Sequence, residues 1–61
     1  MTKEEFIRRV KALKTDDEKL AFEEEYLNLS NEDKERIGAV AIPFIELCGF
    51  IKLEKKRGKH G

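Results

Sequence analysis

Apolar residues recur at helical spacing along most of the chain. Phe6, Ile7, Val10 and Leu13 follow i, i+1, i+4, i+7, with Arg8, Arg9, Lys11 and Lys14 turned elsewhere. That is the stripe of one amphipathic helix. Phe22, Tyr26 and Leu29 form a stripe at i, i+4, i+7. Leu20 and Leu27 form another, on nearly the opposite side of the same helix at ~100° per residue. Ile37, Val40, Ala41, Phe44, Ile45, Leu47 and Cys48 cover an arc of roughly 160° on a third helix. Alternation of period two is confined to Phe50-Ile51-Lys52-Leu53, too short to found a sheet.

Helix-start signals agree with this periodicity. Thr2 precedes Glu5, Thr15 precedes Glu18, and Ser30 precedes Asp33, each at the capping-box spacing. Acidic residues occupy each first turn, where the helix dipole favours them. Pro43 removes a helical hydrogen bond and crowds the carbonyl of Ala39, so it kinks the helix or restarts it with Pro43 in a new first turn. Gly49 reads as a C-cap, beyond which Phe50, Ile51 and Leu53 would fold back onto the bundle. The pattern predicts an all-α, small three-helix bundle. Its helices cover about residues 3–14, 16–28 and 31–48. Residues 1–53 form the single helical domain, and 54–61 a short, basic, flexible tail.

Composition narrows what such a bundle can be. A chain of 61 residues makes one small domain, which buries only about 60% of its unfolded surface. A large enzyme with a deep cleft is excluded. One Cys cannot form an intramolecular disulfide, and one Cys with one His cannot form a structural zinc site. The start, Met-Thr-Lys-Glu-Glu-Phe, lacks the apolar stretch of a signal peptide. A soluble, cytoplasmic protein of a reducing compartment is expected. The apolar run from Ile37 to Ile51 contains Pro43 and Glu46 and falls short of the ~20 residues that span a bilayer, so a core helix explains it and no membrane partner is expected.

The 13 basic side chains balance 13 acidic ones, but they are segregated. Residues 1–14 carry +3, residues 15–33 carry −7, residues 34–50 are neutral, and residues 51–61 carry +4. Opposed blocks attract one another within a small domain or present separate faces to separate partners.

Catalytic chemistry is not evident. His60 is the single imidazole and lies next to the end of the sequence. Cys48 falls on the apolar arc and reads as a structural thiol. Glu23, Glu24 and Glu25 point three ways around a helix, and Asp16-Asp17-Glu18 lacks the alternating spacing of a calcium loop. No glycine-rich phosphate loop is present. The chain is expected not to be an enzyme and to use no metal and no cofactor.

Leu29-Ser30-Asn31-Glu32-Asp33-Lys34-Glu35-Arg36-Ile37 resembles a joint found in helical hairpins of many small bacterial proteins. It is also similar to the helices that follow the DNA-binding domain in bacterial helix-turn-helix repressors. The likeness covers nine residues and largely restates a capping box. It implies a bacterial or phage origin and names no family.

A helix with two apolar stripes calls for two packing partners. The first expectation is therefore a small protein-binding module, a regulator or inhibitor, that acts through an apolar helical surface and pairs with itself as a homodimer. Its seam would be Phe22, Tyr26 and Leu29, extended by exposed parts of 37–51. The alternative is a nucleic-acid accessory protein using the basic N-terminal face and the tail cations Lys55, Lys56, Arg57 and Lys59, whose phosphate contacts would be salt-sensitive.

Overall fold

Three hydroxyl side chains start three helices. In the computed structural model, which describes residues 1–58, Thr2 Oγ1 accepts from the Glu5 amide at 3.2 Å, Thr15 Oγ1 from the Glu18 amide at 3.1 Å, and Ser30 Oγ from the Asp33 amide at 3.3 Å. These caps open α1 (Lys3–Ala12), α2 (Asp16–Leu27) and α3 (Asn31–Ile37). Among the described residues, Thr15 alone carries the reciprocal half of a capping box: Glu18 Oε1 accepts from the Thr15 amide at 3.1 Å. It also accepts from the Lys14 amide at 2.8 Å. These backbone donors, that of Lys14 first, hold the Glu18 carboxyl below the usual range. The same bonds account for an α1 that stops at Ala12 and not at residue 14. Leu13 is already extended (φ −71°, ψ 132°), and the Lys14 amide has turned to Glu18.

The third helix is broken in two. Gly38 takes φ +73° and ψ −155°, a combination that is essentially glycine's own. A 3-10 turn over Gly38–Val40 follows, and α4 (Ala41–Gly58) then runs for 18 residues. Pro43 lies in the first turn of α4, where its missing N–H removes no helical bond. The restart expected at Pro43 is thus present, and the residue that makes the break is Gly38, upstream of it.

Gly49 does not end the helix. It lies inside α4, and the chain stays helical through Gly58. The reason is tertiary. Beyond Gly49, Ile51 is buried, Lys52 Nζ lies 2.6 Å from Glu23 Oε1, and Lys55 ion-pairs with Asp17. Two of these three anchors tie the last turns of α4 to α2, so the helical path outcompetes a cap. Residues 54–58, read from the sequence as the start of a tail, therefore continue α4, while Lys59 and His60 lie outside the described residues.

The architecture is a small all-α bundle, with no strand among the described residues. Helix α2 packs along α4, and α1 packs against α3 and the 3-10 turn. The core is aromatic. Phe6 of α1 is 1% exposed, and its ring centroid lies 5.4 Å from Phe22, 5.6 Å from Tyr26 and 5.7 Å from Phe44. Phe22 and Phe44 close the cluster at 5.7 Å. These separations fall within the range of stacked and edge-to-face attraction. Ile37, Ala41 and Cys48 fill the remainder.

Truncating a core Phe to Ala costs about 3–5 kcal/mol. A chain of this size has a total stability of about the same amount. Phe6→Ala is therefore expected to abolish the cooperative thermal melt followed by circular dichroism; a melt within a few degrees of wild type would show that the cluster does not hold the bundle. Gly49 is the opposite case. It is exposed in a helix interior, and a Cβ there would meet nothing within 4 Å. Gly49→Ala should raise stability by about 1 kcal/mol through helix propensity, seen as a higher urea midpoint with an unchanged slope.

Candidate protein interface

Helix α4 has two apolar faces. Ala41, Phe44, Cys48 and Ile51 point into the bundle and are buried. Ile42, Leu47, Phe50 and Leu53 point outward, and Phe50 is 65% and Leu53 58% exposed. At ~100° per residue, the outward set with Pro43 spans about 140° of the helix, nearly opposite the buried set. Single exposed apolars are ordinary; a row of them on one helix face makes this face the candidate for an interaction surface.

The row continues into a groove between α1 and α4. Ile7, Val10, Val40, Pro43 and Leu47 line it, Phe6 and Phe44 form part of its wall, and Lys11 stands among them; its volume is about 310 Å³. Further along α4, Phe50, Leu53, Glu54 and Arg57 line a second hollow of about 220 Å³.

The seam expected on α2 is placed differently. Phe22 and Tyr26 are buried in this chain's own core, against Phe6, and Leu29 is half-buried beside them. The stripe i, i+4, i+7 on α2 is the inward one because α1 and α4 converge on it. Of the opposite stripe, Leu20 packs on the core and Leu27 is exposed. The helix with two apolar faces, one buried and one exposed, is thus α4. A cap at Gly49 would take Phe50 and Leu53 off the helix, which conceals this face in the sequence. The signal that would have revealed it is the uninterrupted run of helix formers from Ile51 to Arg57, with no Pro and no further Gly before Gly58.

Part of the charge is matched inside the molecule. Arg9 makes two hydrogen bonds to Glu25, each of 3.2 Å, and lies 4.7 Å from the centroid of the Phe22 ring. Lys52 holds Glu23, a carboxylate only 5% exposed, and Lys55 holds Asp17. The acidic helix is therefore held from both sides by basic residues, Arg9 of α1 and Lys52 and Lys55 near the end of α4. Of the tail cations, Lys55 is engaged with α2, Lys56 and Arg57 are exposed at the end of α4, and Lys59 lies outside the described residues.

Cys48 is buried and its Sγ lies 3.6 Å from the Lys19 carbonyl, positioned to donate to it. Burial, then the nearby Glu23 charge, push the thiol above its ordinary value. Such a thiol is suppressed as a nucleophile. Among the described residues, no group of three His, Cys, Asp or Glu could hold a metal ion, and no helix is long and apolar enough to cross a membrane.

Comparison with protein-family models, with curated proteins and with solved structures finds no significant match for this chain.

The Glu23–Lys52 pair gives a pH signature. The hydrogen bond to Glu23, before any other influence, raises the Lys52 amine above its ordinary 10.5. Its contribution to stability is complete below the unfolded lysine value and is lost as pH rises through the higher folded value. The difference in urea midpoint between wild type and Lys52→Met should therefore hold constant from neutral pH up to about pH 10 and shrink above it. A difference unchanged at pH 12 would show that Lys52 acts through packing alone.

Proposed function

We propose that this protein is a small protein-binding module that acts through the outer apolar face of α4 and pairs there with a second copy of itself. The observation that carries this reading is the row Ile42, Leu47, Phe50 and Leu53, exposed on a helix whose other face is already buried. Chain length supports it. A single-chain core of this size is marginal, and burying a second apolar face is a common means of adding stability. A module of this kind suits a small regulator or inhibitor. It would work in the cytoplasm, where a lone thiol such as Cys48 stays reduced. The bacterial or phage origin of the proposal rests on the nine-residue joint from Leu29 to Ile37.

The internal ion pairs weigh against the nucleic-acid alternative. Lys55 and Arg9, two of the cations it would use, are already engaged with Asp17 and Glu25. No aromatic ring is interleaved with the remaining tail cations for base stacking.

Sedimentation across a dilution series tests the reading. Wild type should move from dimer to monomer as it is diluted. An aromatic anchor at the centre of an interface is worth about 2 kcal/mol or more, roughly 30-fold in affinity. Phe50→Asp should therefore weaken self-association by at least ~30-fold while leaving the helical circular dichroism intact. A wild type that stays monomeric at the highest attainable concentration would refute the proposal.

A further inference from the structure

The outer face of α4 carries more than apolar residues. Glu46, Phe50, Leu53 and Arg57 follow one another at spacings of four, three and four, which is the spacing of a coiled-coil seam. All four are exposed, and among the described residues neither Glu46 nor Arg57 belongs to an ion pair. The seam is thus apolar at its centre, acidic at one end and basic at the other. Its charged ends are about 16 Å apart at 1.5 Å per residue, too far to meet within one helix.

A second copy of the chain fits this pattern in one orientation. Parallel, in-register pairing would set Glu46 against Glu46 and Arg57 against Arg57, like charges at both ends. Antiparallel pairing about a two-fold axis does the reverse. We propose that two copies pair their α4 helices antiparallel, with the axis passing between residues 51 and 52, so that each Phe50 packs on the partner's Leu53 and each Glu46 ion-pairs the partner's Arg57. The contact is isologous: the same four side chains on each copy meet the same four on the other. Sliding the antiparallel helices by one heptad places Glu46 against Phe50, a charge against a ring with no counter-charge. The charge pattern therefore selects both the direction and the register. Leu47 and Ile42 flank the seam and widen its apolar margin.

This inference rests on the proposed self-association and is testable apart from it. E46R alone places two pairs of like charges in the dimer, and R57E alone does the same. Each should weaken self-association by at least ~10-fold at low salt, less at high salt. Two combinations should restore it to within a few-fold of wild type. The first is the double variant carrying both changes. The second is an equimolar mixture of E46R with R57E, in which a heterodimer matches Arg against Glu at both ends. All four positions are on the surface, and circular dichroism confirms that each variant is folded. Single variants that associate as wild type does, or a loss that neither combination rescues while Phe50→Asp still dissociates the dimer, would overturn the register and leave the α4 interface standing. A wild type monomeric at all concentrations would overturn both.

Discussion

Phe6 touches three aromatic rings from two other helices, and the rest of the bundle is arranged around that contact. The constraint behind it is chain length. A bundle of 61 residues has few core positions, so large side chains must fill them. Four aromatic rings do so with little conformational entropy to lose per unit of buried area. The cluster fixes which side of each helix faces inward. It turns Phe22 and Tyr26 of α2 into the core, sets Phe44 at the start of α4, and leaves Ile42, Leu47, Phe50 and Leu53 on the opposite side of α4 exposed among the described residues.

Electrostatics then hold the helices in place around that cluster. The acidic α2 receives Arg9 from α1 and Lys52 and Lys55 from α4. Exposed pairs of this kind contribute little individually. Glu23 is different because its carboxylate is buried, and a buried charge without a partner is costly. That position makes Lys52 a reason for α4 to remain helical past Gly49. The segregation of charge along the chain is thus used in part within the fold, through Arg9, Lys52 and Lys55.

Much of this order is written locally in the sequence. The three hydroxyl residues Thr2, Thr15 and Ser30 start helices because a cap needs a hydroxyl and an amide three residues on, and both are visible in the sequence. The restart of the third helix at Pro43 is legible for the same reason. What the sequence conceals depends on contacts between distant residues. Gly38 lies inside the helix expected over 31–48 and Gly49 at its end, yet Gly38 adopts a positive φ and breaks the helix, while Gly49 is carried through it by anchors to Glu23 and Asp17. The choice between the two stripes of α2 is likewise made by α1 and α4. Periodicity finds stripes and cannot say which one is covered.

The outer face of α4 follows from the same logic. Had Gly49 ended the helix, Phe50 and Leu53 would have left the axis and no continuous seam would exist. Because α2 holds α4 straight through Lys52 and Lys55, the exposed residues on its far side keep helical register over Glu46, Phe50, Leu53 and Arg57. A seam that was apolar throughout would accept a partner helix in either direction and several registers. One acid and one base at its ends remove those alternatives at small cost, since both can remain near solvent. In the proposed dimer, the ion pairs inside the bundle and the charges of Glu46 and Arg57 outside it thus divide the work: the first keep α4 whole, and the second would give its exposed face a direction.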